Sequence, residues 1–546
     1  MADGDNLKRP RRRARRRRWV AVITIVILVA AAAVGIALYR AEPILRSAVI
    51  QTLSTRFKSK VELDSFHVSL VKGLQVSGEG LRIFGDSDPN NHEPGVQPIV
   101  AVAEFRFGLK VADFLRSPMH VDTVYANGLR LNLPPREQRA QMQRMEAQGG
   151  KIKIIVNRFI FEDAQLIINT LRPGKLPIEF EIASLQMTRT GSNSPLRFEA
   201  TLTNPKPKGE IFSTGYFGPW QADAPRVTPL SGDYSFTHAD LGTIKGLGGM
   251  LSSTGNYAGT LERITVDGTT DTPDFRLAQC ERSVPLHTDF HAIVDGTTGD
   301  TYLKPVRAKI LSSWLVANGS VVRQRNPLGH RVRLDVTIGK GKIDDLLKLA
   351  VRTDPPIMAG SVKLKTNFDL VPGEDDVANR IKLAGDFLVS DASFTDEKVQ
   401  RKIDSLSLRS RGKPKVATSI VQDSARSDLN GTFSFDDGII SFSQMEFRVP
   451  GAVVALTGKY SMDGNKLDFR GTARTEATLS HMVTGWKALL LKPVDPFFKK
   501  NGAGSELPVR VNGTKSEPHF ALDFGYKGDN DKDVKRGDGK NVSKDE

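Results

Sequence analysis

The chain has 546 residues, of which 39% are hydrophobic and 25% charged, with a net charge of +15 and one cysteine, Cys280. A single cysteine excludes an intramolecular disulfide, so a large core or long hydrogen-bonded sheets must stabilise the fold. Residues 1–18 carry +7, residues 525–546 are neutral, and the intervening chain carries +8. We expect this body charge to be spread out. With no arginine-rich helix, zinc spacing or RNA-binding signature, the sequence argues against nucleic acid as a partner.

An unbroken apolar run follows the basic segment 1–18. It extends from Trp19 to Tyr39, and its 21 residues at about 1.5 Å each span roughly 30 Å, the thickness of a bilayer's hydrocarbon core. Aromatic rings at both ends and arginines before the run favour a transmembrane helix over 19–39 with a cytoplasmic N terminus. In a bacterium, residues beyond Arg40 would then lie in the periplasm. A cleaved signal peptide is the alternative, although its apolar core is usually only about 7–15 residues long.

The hydrophobic period changes soon after this run. Residues Pro43 to Phe57 have apolar side chains at helical spacing, which predicts a short amphipathic helix leaving the membrane. From Val61 onward apolar and polar residues alternate, which predicts an antiparallel sheet with one apolar and one solvated face. The clearest alternation has these apolar positions: Val332, Leu334, Val336, Ile338, Val362, Leu364, Phe368 and Leu370.

Few helices are predicted within this β-rich chain. Lys342 to Val351 reads as a short amphipathic helix, and the polar segment Pro135 to Gln148 as a surface helix or lid. Leu479 to Leu491 is apolar but too short to span a bilayer, so we expect a helix that lies in an interface or caps the sheet. Its apolar residues are Met482, Val483, Trp486, Leu489 and Leu490. The tail 525–546 lacks apolar residues that could anchor it and is predicted to be disordered.

Two segments repeat the pattern V-x-G-T-x-x-x-P-x-F-x-L. They begin at Val266 and Val511. The pattern fits either a turn shared by two pairs of strands or a repeated sheet module.

Sequence motifs for catalysis or metal binding are missing from the chain. No nucleophile elbow, phosphate-binding loop, zinc-protease helix or EF-hand loop is present. His287 and His291 lie in a predicted strand, where residues four apart are about 13 Å away from each other, so a shared metal is not expected. The aspartates Asp267, Asp271 and Asp274 have turn-forming spacing rather than a calcium-loop spacing. We therefore predict no catalytic residues, no metal and no cofactor, and a protein that is not an enzyme.

Both ends of the chain resemble AsmA-like proteins. The resemblance is carried by residues 53–63 (LSTRFKSKVEL), 68–83 (VSLVKGLQVSGEGLRI), 479–487 (LSHMVTGWK), 493–498 (PVDPFF) and 502–508 (GAGSELP). Between them, 255–259 (GNYAG) and the segment starting at Val266 also fit. The match covers most of residues 19–524, and its phrases are not catalytic signatures.

This resemblance implies an envelope protein anchored in the inner membrane, with its bulk in the periplasm. AsmA-like proteins resemble chorein-type bridge-like lipid-transfer proteins, whose long curved β-sheet forms an apolar groove for phospholipid acyl chains. The implied organisation is a β-rich groove over 40–478 and an AsmA-like C-terminal region over 479–524. The implied function is phospholipid transport between inner and outer membranes in cell-envelope and outer-membrane biogenesis. The partners would be phospholipid, the inner membrane, and the outer membrane or envelope proteins.

Other interpretations remain open at this point. Alternating strands also suit the closed core of a β-sandwich, in which case the eight apolar positions above are ordinary core residues rather than groove-lining ones. A scaffold or assembly factor for outer-membrane proteins that carries no lipid is the alternative function. An envelope enzyme acting on glycans is a third.

Overall fold

The computed structural model describes residues 42–522, apart from gaps at 44–45, 48, 52, 55–59, 70–73, 85–96, 110–118, 134–153, 170–176, 190–193, 220, 222–223, 279, 281, 326–327, 353, 417–423, 462–465, 485–491, 493–503 and 515–516. The predicted basic segment 1–18, transmembrane helix 19–39, lid 135–148 and tail 525–546 therefore lie outside the described residues. Among the residues that are described, no helix has the length and apolar character needed to cross a membrane.

The described chain is mainly β and divides into two compact units. The first unit takes its residues from Met1–Pro205 and Ile211–Thr228, and the second from Lys206–Glu210 and Pro229–Glu546. The strands before the division are β1 Val61–Glu62, β2 Ser65–Ser69, β3 Leu74–Ile83, β4 Val100–Leu109, β5 Met119–Leu133, β6 Ile154–Ile168, β7 Ile178–Arg189 and β8 Leu196–Pro205. Strand β9, Lys208–Phe217, contributes residues to both units.

The second unit holds most of the strands and the three α-helices with described bounds. Its strands are β10 Pro229–Asp240, β11 Leu247–Gly248, β12 Met250–Thr260, β13 Arg263–Leu277, β14 Val284–Val294, β15 Thr301–Ile310, β16 Ser313–Arg325, β17 Leu328–Lys342, β18 Met358–Leu370, β19 Ile381–Phe394, β20 Ser427–Asp436, β21 Ile439–Val449, β22 Ala452–Ser461, β23 Lys466–Thr475, β24 Ser505–Thr514 and β25 Pro518–Leu522. Its helices are α1 Ile343–Ala350, α2 Val377–Arg380 and α3 Glu397–Ser410.

In the first unit, neighbouring strands along the chain pair with each other, with one departure from the predicted antiparallel pattern. Strands β1 and β2 both pair with β3, and the ladder continues antiparallel through β4 to β5. Strands β5 and β6 are parallel, from Met119 beside Ile154 to Leu133 beside Ile168. The prediction of a wholly antiparallel sheet is wrong here. A parallel pair needs a crossover connection of a dozen or more residues, and the segment 134–153 between β5 and β6 has the length for one.

The short helix predicted over Pro43 to Phe57 is supported by the described residues in that range. Residues 42–43, 46–47, 49–51 and 53–54 are helical. Val49 and Ile50 pack on a buried cluster in the first unit, while Arg46 is exposed and its guanidinium donates a hydrogen bond to the Leu63 carbonyl. The buried members of this cluster are Leu63, Phe66, Val76 and Val121.

In the second unit, the strands from β12 to β25 pair antiparallel in chain order. Strand β10 pairs with β12, and the short β11 pairs with the end of β13. The ladder then runs without a crossover from β12 to β25. Strands β13, β17, β19 and β23 all end on the same side of the ladder, which bears α1, α3 and the 3₁₀ turn Leu479–Met482. We call this side, which runs across the strand ends, the helical edge. The other edge has connections such as Asp437–Gly438 and α2, and we call it the turn edge.

Among the helices of the second unit, α1 agrees with the sequence prediction, α2 and α3 were not predicted, and the helix predicted from 479 differs. Helix α1 lies within one residue of the predicted Lys342 to Val351. Helix α3 was not predicted, although Asp396 caps its N terminus by accepting from the Lys398 and Val399 amides. At residue 479 only a 3₁₀ turn forms, which ends at Met482, and Val483 is extended. The predicted helix is therefore wrong over 479–484, where Ser480 is buried in the turn.

The two segments with the shared V-x-G-T pattern adopt different structures. Val266 to Leu277 lies in the single strand β13, whose pairing with β14 shifts register between Thr272 and Phe275. Val511 begins a segment that runs from β24 through a turn into β25. The shared pattern therefore marks neither one common turn nor one repeated module.

Candidate functional site

The eight apolar positions predicted from alternation share one face of the second unit's ladder. Val332 lies opposite Leu370, Leu334 opposite Phe368, and Ile338 opposite Leu364. Val336 lies between Leu334 and Ile338 on β17, and Val362 follows after a register shift on β18. We call this surface the apolar face. The residues that alternate with them occupy the opposite, polar face, where the exposed ones include Arg333, Asp335, Lys363 and Lys365.

Register extends the apolar face over the strands on both sides of β17 and β18. The pairings carry it through Val321 on β16 and Ala292 on β14 in one direction, and through Leu383 on β19 and Phe433 on β20 in the other. Further members of the face are Tyr234, Tyr257, Val266, Phe290, Val306, Phe387, Phe442, Met445, Leu456, Phe469, Val509 and Val511. The apolar face is thus continuous from β10 to β24.

Ion pairs occupy the polar face of the same strands. Lys382 Nζ lies 2.8 Å from Asp436 Oδ2, and Arg510 Nη2 lies 3.5 Å from Asp468 Oδ1. Arg331 pairs with Asp369, and this neighbour lowers the pKa of the Asp369 carboxyl. One side of the sheet is therefore chemically suited to water and the other to hydrocarbon.

Aromatic rings converge on the apolar face across intervening strands. The Phe387 and Phe442 rings are 6.0 Å apart although β20 lies between their strands. The Phe442 and Phe469 rings are 5.8 Å apart although β22 lies between theirs. Strands two positions apart are separated by roughly 9–10 Å, so the rings lean together over Gly431 and Gly458, which have no side chain to fill the space.

Contacts between distant strands show that the ladder is curved, and the packing of α1 shows which face is concave. The Val377 amide, at the turn edge, donates to the Lys245 carbonyl at the helical edge, with 3.4 Å between nitrogen and oxygen. Arg282 Nη2, after β13, lies 3.2 Å from Asp354 Oδ2, after α1. Helix α1 also contacts β13 and packs on the apolar face. The apolar face of the second unit is therefore concave, and we call it the trough.

The exposure of side chains in the trough changes along the strands and is lowest at the helical edge. Ile338 and Val362 are only 3% and 2% exposed, and they form a closed cluster with Val389 and Ala392 that α1 helps to cover. The remaining six predicted residues are half-buried. The structure thus brings all eight together but places two of them in a core at the helical edge.

The sequence-predicted distal helix is only partly described. Met482 and Val483 are half-buried at the end of the 3₁₀ turn. Trp486, Leu489 and Leu490 lie outside the described residues.

The two histidines of β14 bind separate aspartates on β13. His287 Nδ1 lies 2.6 Å from Asp271 Oδ1, and His291 Nδ1 lies 2.7 Å from Asp267 Oδ1. The hydrogen bond to Asp271 raises the pKa of His287. Within the described parts of the chain, no group of three or more His, Cys, Asp or Glu side chains could hold a metal ion.

The unpaired thiol is not activated. Cys280 is half-buried after β13, and burial raises the pKa of its thiol. A raised pKa keeps the thiol protonated and less nucleophilic.

Sequence reasoning missed several residues of the trough. Tyr234, Phe442 and Phe469 lie on strands whose alternation is interrupted by glycine or by a register shift, so the period of two is weak there. Glycines in these strands could have indicated the missed trough residues, because an aromatic side chain from a nearby strand lies over Gly268 and over Gly458.

Comparisons of the chain with protein-family models, curated proteins and solved structures found no match.

Proposed function

We propose that the protein binds phospholipid acyl chains in the trough of the second unit and carries them between inner and outer membranes. In this proposal the segment 19–39 anchors the chain in the inner membrane, and the bulk of the protein lies in the periplasm. The lipid headgroup stays in water at the open side of the trough. The cell would use this transport to build its envelope.

One observation carries the proposal, namely a concave apolar face that continues from β10 to β24 while most of its side chains stay half-buried. Each CH₂ group of an acyl chain that leaves water for an apolar surface gains about 0.8 kcal/mol. A surface that binds acyl chains equally well at every strand offers little barrier between neighbouring positions. Such a surface supports movement of lipid along the ladder rather than storage at one place.

The test uses the alternation of side chains in β17. A photoreactive phenylalanine analogue replaces Leu334 in the full-length chain, and a matched variant carries it at the adjacent Arg333. These positions lie on opposite faces of one strand. After irradiation in cells, mass spectrometry should find phospholipid attached at position 334 and much less at position 333.

Other results would count against lipid transport. Attachment of polypeptide at position 334 would favour the scaffold function, in which the trough holds an outer-membrane protein or assembly factor. Equal lipid attachment at 333 and 334 would show that the apolar face does not select lipid. Leu383 on β19 provides a second position on the apolar face if the Leu334 variant does not accumulate.

A further inference from the structure

Positive charge is concentrated on α3 and the turn that follows it. Residues 397–416 contain seven basic and two acidic residues, so they supply +5 of the +8 carried by residues 19–524. The expectation that the body charge is spread out is therefore wrong. We call the exposed cations of this segment the basic rim: Lys398, Arg401, Lys402, Arg411, Lys413 and Lys415.

In the part of the chain that the structure describes, carboxylates do not pair with four cations of the basic rim, namely Lys398, Arg401, Arg411 and Lys413. Asp404 is buried, and its Oδ1 accepts from Gln400 Nε2 at 2.9 Å and from the Ala425 amide at 2.8 Å. Arg401 and Arg411 donate to helix carbonyls instead of carboxylates. Among the described residues, Lys398 and Lys413 also have no carboxylate partner.

Helix α3 presents these cations from a fixed position. Gly412, with φ of 73°, ends the helix, and the Lys413 amide donates to the Leu408 carbonyl at 2.9 Å, as in a Schellman motif. Ser407 Oγ donates to the Pro450 carbonyl at 2.8 Å, which ties α3 to the β21–β22 turn. On the inner side of the helix, Ile403 packs in a cluster with Phe447.

The basic rim therefore lies beside the trough at its helical edge. Phe447 belongs to the apolar face through its pairing with Leu429, and α3 covers it from that edge. Two apolar side chains, Val399 and Val416, are exposed along the same segment. Lysine and arginine together with exposed apolar groups are the composition that binds anionic bilayer surfaces.

We propose that the basic rim docks the helical edge of the second unit onto a bilayer that contains anionic phospholipid. The phosphate groups of such a bilayer pair with Lys398, Arg401, Arg411 and Lys413, which have no carboxylate partner among the described residues. This docking adds a membrane contact to the proposed transport function, and it does not depend on whether the trough carries lipid.

The experiment measures binding of the full-length chain, held in nanodiscs of phosphatidylcholine, to vesicles of phosphatidylcholine with or without phosphatidylglycerol. The test variant is Lys398→Glu, Arg401→Glu, Lys413→Glu. The matched control reverses three exposed cations on the polar face: Arg333→Glu, Lys363→Glu, Lys365→Glu. Residues 1–18 are present in every variant, so the comparison between variants isolates the basic rim.

Binding to phosphatidylglycerol vesicles should fall about tenfold or more in the test variant and much less in the control. Added salt should weaken the wild-type binding, because salt screens exposed charges. An equal loss in both variants would show that only total charge matters, and unchanged binding in the test variant would also overturn the proposal. The proposal would also be overturned if the wild-type chain bound vesicles with and without phosphatidylglycerol equally well.

Two further measurements keep the result interpretable. If the charge reversal prevents folding, the neutral variant Lys398→Gln, Arg401→Gln, Lys413→Gln replaces it, with a smaller loss of binding expected. Lipid attachment at position 334 is measured in the same variants. Loss of vesicle binding with retained lipid attachment separates a failure of docking from a failure of the trough.

Discussion

At the scale of single residues, the polar face is organised by pairs that form directly across strands. His287 on β14 faces Asp271 on β13, with Asp289 Oδ1 a further 3.5 Å from its Nε2. These carboxylates favour the protonated imidazole, and the pKa of His287 is raised above its ordinary value. Opposite charges placed across two strands stabilise that pairing and make it depend on pH.

The variant Asp271→Asn should weaken the protein most at low pH. Because the folded-state pKa of His287 is raised, its stabilising effect is full below about pH 6.5 and is lost as pH rises through the folded pKa. The side chain is partly exposed, so we expect less than about 1 kcal/mol. Melting temperatures of wild type and variant should differ more at pH 5.5 than at pH 8.5. A difference independent of pH would contradict this assignment.

At the scale of secondary-structure elements, buried polar groups attach the helices to the ends of the strands. Asp345 in α1 is 4% exposed, and its Oδ2 accepts from Ser313 Oγ at 2.8 Å and from the Ser312 amide at 3.1 Å. Ser313 Oγ in turn accepts from the Lys342 amide at 2.8 Å. These bonds hold α1 over the cluster that closes the trough at the helical edge.

The variant Asp345→Ala should destabilise the second unit by about 1–3 kcal/mol, because it leaves the buried hydroxyl of Ser313 without its acceptor. The neighbouring variant Asp344→Ala is the matched control. It removes a first-turn carboxylate of α1, whose favourable interaction with the helix dipole is about 0.3–1 kcal/mol. Thermal unfolding of both variants checks the difference. Equal effects would mean that Asp345 does not anchor α1.

At the scale of the whole sheet in the second unit, close approach of strands at glycine allows the aromatic rings to converge. A Cβ added at Gly458 would lie 2.3 Å from the Asp468 carbonyl oxygen and 2.6 Å from Phe469 Cα. The neighbouring strand would have to move to accept a side chain there. The shape of the trough therefore depends on glycine positions, which lack a side chain, as well as on the positions of large aromatic side chains.

The variant Gly458→Ala should lower stability by about 1–3 kcal/mol through overpacking against β23. Gly339→Ala in β17 is the matched control, because a Cβ there has no neighbouring atom within 4 Å. Melting temperature should fall for the first variant and stay close to wild type for the second. If both variants behave alike, the close packing at Gly458 does not determine the sheet geometry.

The alternation of β17 and β18 could be read from sequence because a strand turns successive side chains to opposite faces. That rule placed Leu334 and Phe368 on one face, where the structure has them, and the amphipathic pattern of α1 placed that helix within a residue. Helix α3 escaped prediction because its buried side includes the polar residues Gln400, Asp404, Ser407 and Ser410, so its apolar period is weak. The parallel pairing of β5 with β6 was also not predicted, because the hydrophobic period of a strand does not indicate whether its neighbour runs parallel or antiparallel.

The sequence by itself determined that the chain is mainly β and which side chains of β17 and β18 share a face, since these depend on neighbours along the chain. Only the tertiary structure decided that the apolar face is concave and that α1 closes part of it over Ile338 and Val362. It also placed α3 and its cations beside the trough. These features depend on contacts between residues far apart in sequence, such as Val377 with Lys245, which no local period records.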